Sequence, residues 1–84
     1  MPEPRRTVQS PEAERLLAAL AAARMRRGLS QRSLSRTLGL HPMTVGKIER
    51  GERALQVSEL VEVCRALGED PARMLDESLR EGPA

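Results

Sequence analysis

The side chains that could do chemistry are concentrated in one segment of this sequence, and their charge points to a polyanionic ligand. Between Arg15 and Ile48 there are seven basic residues and no acidic one, whereas from Glu59 onward seven acidic residues outnumber three arginines. Solvated helix faces also carry scattered charge. A separation this complete favours a basic surface that attracts a polyanion and an acidic surface that repels it. The seven basic residues are Arg15, Arg24, Arg26, Arg27, Arg32, Arg36 and Lys47.

Metal binding and covalent catalysis have little support in this sequence. His41 is the single histidine and Cys64 the single cysteine, and two such residues cannot complete a zinc site. One cysteine excludes an intramolecular disulfide and fits a reducing cytosol. No serine has an evident base partner, and no glycine-rich phosphate loop is present. We therefore expect no enzyme activity, no metal and no cofactor, with Cys64 as a small apolar filler.

Length and composition predict one small intracellular domain. Eighty-four residues suffice for a single domain of marginal stability. The sequence contains no aromatic residue, so the core must be aliphatic. No apolar run approaches the length of a membrane span, and the N-terminus lacks the apolar stretch of a signal peptide. We expect a cytoplasmic protein with no membrane partner and no small-molecule ligand.

The first of two short helices is predicted just after Gly28. Ser30 is a typical N-cap residue, because its hydroxyl can accept a hydrogen bond from the first helical turn. Leu34 and Leu38 follow at a spacing of four, which places both on one helix face. Gly39 then supplies a residue that adopts left-handed backbone angles readily, so this helix is expected to end in a tight turn.

A second short helix is predicted directly after this turn. His41 is the expected N-cap, with Pro42 at the first helical position, and Gly51 marks the end. Val45 and Ile48 form an apolar stripe between them. Two helices this short are unstable alone, so the rest of the chain must brace them. The pattern is that of a helix-turn-helix, whose second helix enters the major groove of DNA.

Three further helices complete an all-α prediction of five helices with no strand. The first starts at Ser10-Pro11-Glu12 and stops near Arg27-Gly28. The fourth begins at a weak capping box, Gln56 to Glu59, and ends at Gly68. The fifth starts at Asp70-Pro71 and is closed by Gly82-Pro83. We expect residues 1–9 to form a flexible arm, 10–80 the helix-turn-helix domain and 81–84 a C-terminal tail.

Taken together, these residues resemble the lambda-repressor/Cro-like (Xre-type) helix-turn-helix family, whose members are compact five-helix DNA-binding domains. The resemblance covers roughly residues 16 to 75. The matching positions are Arg24, Gly28-Leu-Ser-Gln31, Leu34, Leu38-Gly39, Val45, Ile48-Glu49-Arg-Gly51, Leu60 and Ala66-Leu-Gly68.

The resemblance implies a role for each of several polar residues. Arg24 and Glu49 match a structural salt bridge between the first helix and the end of the recognition helix, and Gln31 matches a residue that contacts the DNA backbone. The positions that face base edges hold Pro42, Met43, Gly46 and Lys47. Further DNA-backbone contacts are expected from Arg32, Arg36, Thr44, Arg50 and Arg53.

Lys47 is the clearest hydrogen-bonding side chain among the four expected base readers. It can donate to guanine O6 and N7, or simply contact a phosphate; the sequence leaves both roles open. Pro42 and Met43 offer apolar contact only, and Gly46 has no side chain but allows a close approach to the bases. So few polar readers give little discrimination in one copy, which favours a homodimer with two half-sites.

The dimer surface is expected on the acidic C-terminal part of the chain. Its apolar candidates are Val57, Val61, Met74, Leu75 and Leu79, which could equally belong to the core of the monomer. The resulting prediction is a sequence-specific regulator, a repressor, that binds double-stranded DNA at an inverted repeat. The alternative is an antitoxin-type module that binds a protein partner and also its own promoter.

Overall fold

A computed structural model describes residues 10–80, which form five helices and no strand. The helices are α1 (Pro11–Arg26), α2 (Gln31–Thr37), α3 (Thr44–Glu49), α4 (Val57–Leu67) and α5 (Pro71–Leu79). This confirms the predicted all-α, five-helix class. The expected N-terminal arm (1–9) and C-terminal tail (81–84), with the closing Gly82-Pro83, lie outside the described residues.

Short polar side chains begin three of the helices, as their sequence positions predict. The Ser10 hydroxyl accepts a hydrogen bond from the Ala13 N–H, and the Ser30 hydroxyl accepts one from the Ser33 N–H, each at 3.0 Å. Asp70 does the same for α5. At α4 the Gln56 N–H donates to the Glu59 carboxylate at 3.0 Å. Each contact satisfies a backbone N–H that the helix cannot satisfy itself.

The end of α2 fixes the turn of the helix-turn-helix unit. Gly39 has a φ of 71°, a left-handed value that side chains with a Cβ rarely adopt. In that conformation its N–H donates to the Arg36 carbonyl, and the Leu40 N–H donates to the Ser35 carbonyl, both at 2.9 Å. This pair of bonds closes the last turn of α2 and directs the chain towards α3.

The predicted start of α3 is wrong by two residues. The helix begins at Thr44, so His41 is not its N-cap and Pro42 is not its first residue. Instead, the Thr44 N–H donates to the His41 carbonyl at 2.9 Å, and the Met43 N–H donates to His41 Nδ1 at 3.1 Å. Pro42 thus occupies the second position of a β-turn, which its fixed φ favours as well as the first turn of a helix.

A buried serine supplies the cap that α3 lacks locally. Met43 precedes α3 without a side-chain capping bond. Ser35 on α2 is fully buried, and its hydroxyl accepts a hydrogen bond from the Val45 N–H at 3.0 Å. This bond satisfies an orphan N–H of the first turn of α3 with a side chain from the preceding helix. The start of the second helix is therefore fixed by the first.

The core of the domain is aliphatic, as the absence of aromatic residues requires. Its buried cluster takes side chains from all five helices: Leu20, Ala23, Leu34, Val45, Val63, Cys64, Leu67 and Met74. Cys64 is completely buried, and this burial raises the pKa of its thiol. It therefore packs as a small apolar residue.

α1 and α4 pack against the helix-turn-helix unit, and α5 packs on these two helices. α1 packs along α5 and also against α3 and α4, while α2 contacts α3 and α4. The Arg15 guanidinium donates to the Ser78 carbonyl at 2.9 Å, which ties α1 to the end of α5. None of the described helices is both long and apolar enough to cross a membrane.

An ion pair fixes the loop between α3 and α4. Arg53 donates from Nη1 to Glu59 Oε1 at 2.6 Å and from Nη2 to Glu59 Oε2 at 2.9 Å. Glu59 is buried. The hydrogen bonds from Arg53 hold the pKa of the Glu59 carboxyl below its ordinary value of 4.5, and the bond from the Gln56 N–H acts in the same direction.

Replacement of Ser35 by alanine should lower the free energy of unfolding by about 1–2 kcal/mol, because the Val45 N–H would be left buried without an acceptor. Denaturant unfolding measures this change. Ser58→Ala is the control, since Ser58 is an exposed serine in the first turn of α4. Equal effects of the two substitutions would contradict the capping role of Ser35.

The lowered pKa of Glu59 predicts an acid-sensitive contribution to stability. A carboxylate whose pKa is lower in the folded than in the unfolded chain stabilises the fold above its unfolded pKa, and loses this contribution as the pH falls through the folded pKa. Glu59→Gln should therefore destabilise the domain at pH 7 and less so at pH 3. Thermal unfolding across this pH range tests it; a difference from wild type that is constant with pH would refute it.

Candidate nucleic-acid interface

Glu49, the last residue of α3, joins three parts of the fold through its carboxylate. Arg24 Nε donates to Glu49 Oε2 at 2.7 Å, and Arg24 Nη2 donates to Oε1 at 3.1 Å. Arg24 Nη1 also donates to the Leu29 carbonyl at 2.7 Å, in the loop before α2. The Arg24 and Glu49 side chains are only 11% and 15% exposed. A two-point contact of this kind fixes α3 against α1 in both position and orientation.

Gln31 adds the start of α2 to the same network. Its Nε2 donates to Glu49 Oε1 at 2.7 Å. Because a carboxylate can only accept hydrogen bonds, the NH2 group of the Gln31 amide must face Glu49. The amide oxygen, Gln31 Oε1, therefore points away from Glu49. The amide expected to contact the DNA backbone is therefore already held by the protein. A DNA contact from Gln31 stays a prediction.

The exposed charges of α2 and α3 are positive and have no described acidic partner. Arg32 and Arg36 are exposed one turn apart on α2, and Lys47 is exposed on α3. No carboxylate within residues 10–80 pairs with any of the three. An unpaired cation can exchange counterions for phosphate groups, so this surface suits a nucleic acid.

The arginines of α5 behave differently. Arg73 pairs with Glu77 at 3.0 Å, and Arg80 pairs with Asp76 at 3.1 Å, each within one helical turn. Both arginines at this end of the chain are therefore paired with acidic residues, whereas Arg32, Arg36 and Lys47 are not.

The two arginines that follow α3 are both paired in this structure. Arg50 Nε donates to Glu52 Oε2 at 2.9 Å, in a pair whose side chains are about half exposed. Arg53 is held by both oxygens of Glu59. Its expected contact with DNA phosphates would require it to share or leave a buried carboxylate, so Arg53 acts here as a structural partner of Glu59. Arg50 keeps one terminal nitrogen outside its pair.

The residues expected at base edges divide into an exposed group and a buried one. Lys47 and Met43 are exposed and Pro42 is half-buried, as is Thr44, the expected backbone contact at the start of α3. Gly46, in contrast, is buried: a Cβ at this position would lie 3.0 Å from Gln31 Oε1 and 3.2 Å from Arg50 Nη1. The missing side chain makes room for these protein groups, and a close approach of Gly46 to the bases stays a prediction.

Four of the five expected dimer residues are exposed. Val57 and Val61 lie one turn apart on α4, and Leu75 and Leu79 one turn apart on α5, with Val57 80% and Leu79 60% exposed. Met74 is only 6% exposed and belongs to the core. This is the alternative that the sequence left open for Met74, whereas the interface role of the four exposed residues stays a prediction.

Ser35 is the residue of this unit that sequence reasoning missed. A serine inside a short helix has no capping position of its own, so only its place opposite the start of α3 reveals the role. Within residues 10–80, no group of three or more potential metal ligands occurs.

The Glu49 network predicts a large loss of stability when it is broken. Glu49→Ala leaves the Arg24 guanidinium buried without its carboxylate, at a cost of about 3–5 kcal/mol. Thermal or denaturant unfolding measures this loss. Glu77→Ala, which removes an exposed pair on α5, is the matched control and should cost at most about 1 kcal/mol.

If Glu49→Ala does not fold, Gln31→Ala provides the second test. It removes one donor to Glu49 and leaves the Arg24 pair intact, so about 1 kcal/mol is expected. Wild-type stability in Glu49→Ala would show that the pair contributes nothing to the fold.

Comparison with known proteins agrees with this geometry. A family model described as "Helix-turn-helix" (HTH_3) matches residues 20–74. Among curated proteins, none matches this sequence. Solved structures do: the clp gene regulator ClgR from Corynebacterium glutamicum is 31% identical with a TM-score of 0.71, over 83% of this chain and 91% of that one.

Two further structures extend the comparison. A second ClgR structure is 32% identical, with a TM-score of 0.71, over 92% of this chain and 76% of that one. The hypothetical transcription factor NHTF from Neisseria is 26% identical, with a TM-score of 0.69, over 86% of this chain and 84% of that one. The chain belongs to the lambda-repressor-like (Xre-type) helix-turn-helix family of DNA-binding transcription regulators.

Proposed function

We propose that this regulator is a sequence-specific repressor that binds double-stranded DNA as a homodimer at an inverted repeat in the cytoplasm. The observation that carries the proposal is the unpaired basic surface formed by Arg32, Arg36 and Lys47 beside α3. The ClgR structures support a regulatory role, since that protein is described as a gene regulator. A repressor acts by occupying its operator, which needs no activity beyond this surface.

The exposed residues of the helix-turn-helix unit divide into expected contacts with the DNA backbone and expected contacts with the bases. Arg32 and Arg36 extend from α2, which in a helix-turn-helix crosses the sugar-phosphate backbone. Lys47 extends from α3 and is the expected donor to guanine O6 and N7, worth about 1–3 kcal/mol of discrimination. Met43 and Pro42 lie at the start of α3 and offer apolar contact to a thymine methyl group. Thr44 serves a phosphate.

The exposed apolar residues of α4 and α5 support a dimer. Val57 and Leu75 line one groove of about 320 Å³ together with side chains from α1 and the loop before α4. Apolar side chains that are grouped and exposed in one copy commonly mark an interface. A second copy, related by a twofold axis, would cover this groove and present two recognition helices to half-sites about one helical turn apart.

Selection of bound duplexes from a random DNA pool, at near-physiological salt, tests the proposal. Wild-type protein should enrich an inverted repeat. Lys47→Ala should lose preference at one position of each half-site. Arg32→Ala should enrich the same motif with weaker binding, and its salt dependence should fall by about one unit, because one phosphate contact is lost.

The outcomes separate the parts of the proposal. Enrichment of a single half-site would argue against the dimer, and an unchanged motif with Lys47→Ala would show that Lys47 is not the base reader. No enrichment, with binding that disappears as salt rises, would reduce the basic surface to a general polyanion site. An antitoxin-type protein partner would then be the next candidate.

A further inference from the structure

Gly46 is a glycine that the backbone of α3 does not require. The described glycines with positive φ are Gly28, Gly39, Gly51 and Gly68, so Gly46 adopts angles that any residue can adopt. Glycine inside a helix is destabilising relative to alanine, because it loses more conformational freedom on folding. A helix of six residues is marginal on its own, so a glycine inside it is unfavourable. A constraint other than backbone conformation must therefore explain why residue 46 is glycine.

The space beside Gly46 provides that constraint. The ends of two side chains meet there, Gln31 from α2 and Arg50 from the end of α3. A Cβ on residue 46 would lie 3.0 Å from Gln31 Oε1 and 3.2 Å from Arg50 Nη1, closer than most Cβ contacts. With a Cβ at position 46 the end of Arg50 would have to shift by a few tenths of an ångström, so the absence of a side chain favours the observed position of Arg50.

Glu52 holds the opposite edge of the same guanidinium. Arg50 Nε donates to Glu52 Oε2 at 2.9 Å and Nη2 to Oε1 at 3.4 Å. This side-on pair uses the Nε edge, and within residues 10–80 Nη1 donates to no acceptor. The Glu52 carboxylate therefore holds the Nε edge of the guanidinium, and Nη1 lies beside Gly46, where there is no side chain.

We propose that Glu52 and Gly46 are positioning residues that hold the Arg50 guanidinium in place as a contact for a DNA phosphate. This inference rests on the proposed DNA-binding function. A phosphate is the expected target because Arg50 lies at the C-terminal end of α3 beside α2, whereas base edges are met by the N-terminal part of a recognition helix. An arginine ordered before binding loses less side-chain entropy when it binds.

If Glu52 acted only by repelling DNA phosphates, the predicted effect of its neutralisation on affinity would be reversed. An acidic residue beside a DNA-binding surface repels phosphate, so a purely electrostatic view expects tighter binding when Glu52 is neutralised. Positioning of Arg50 predicts weaker binding from the same change. The sign of one measurement therefore separates the two roles.

The experiment measures dissociation constants of the full chain for the duplex enriched by wild-type protein, by fluorescence anisotropy at several salt concentrations. Glu52→Gln should weaken binding about three- to tenfold, the range associated with ordering one flexible side chain. Arg50→Ala should weaken binding and lower the salt slope by about one. In the Arg50→Ala background, Glu52→Gln should no longer weaken binding and should strengthen it slightly.

Glu77→Gln is the control for the loss of one acidic charge, since Glu77 forms an exposed pair on α5. It should leave the affinity near that of wild type. Thermal unfolding should be almost unchanged in Glu52→Gln, because exposed ion pairs contribute little to stability. Tighter binding by Glu52→Gln alone, or equal weakening in both backgrounds, would overturn the positioning role.

Gly46→Ala tests the second positioning residue. Alanine favours the helix but its Cβ crowds both Gln31 Oε1 and Arg50 Nη1, so thermal stability should stay near that of wild type while the shift of Arg50 lowers the affinity. In the Arg50→Ala background most of this loss should disappear. Unchanged affinity in Gly46→Ala would remove Gly46 from the inference. If wild-type protein binds no duplex at all, the proposed function fails as well, whereas normal wild-type binding confines any failure to this inference.

Discussion

The arrangement of this domain depends on one constraint: two helices of seven and six residues must keep a fixed relative orientation that neither can maintain alone. The Glu49 carboxylate meets most of this requirement. It receives hydrogen bonds from Arg24 on α1 and Gln31 on α2, and Glu49 itself is the last residue of α3. Ser35 provides a second fixed point at the start of α3. With both ends of α3 held, the exposed side chains between them have defined directions.

The sequence was most informative where local chemistry decides the structure. Capping residues such as Ser10 and Ser30, and glycine at the end of α2, predicted helix boundaries because a cap acts within a few residues. The start of α3 was predicted less well, since a proline fits the second position of a β-turn and the first turn of a helix equally. Only the His41 contacts with Met43 and Thr44 distinguish the two.

Positions that depend on tertiary geometry were harder to predict. Met74 and Leu75 are adjacent apolar residues, and only the packing of α5 decides that the first lies in the core while the second is exposed. The sequence does not show which groups lie beside Gly46, so its contacts with Gln31 and Arg50 could not be predicted. The paired states of Arg50 and Arg53 depend on Glu52 and Glu59, whose carboxylates reach them only once the loop is folded. Base-reading and dimer contacts remain predictions.

The packing of α1 against α5 has a consequence for how the protein is made. The first helix emerges from the ribosome long before the fifth, and at about 5–20 residues per second the interval lasts several seconds. During that time the face of α1 that α5 covers, including the Arg15 contact with Ser78, has no partner. Folding is therefore expected to be completed after synthesis of α5, and a nascent chain stalled before Pro71 would expose apolar surface to chaperones and proteases.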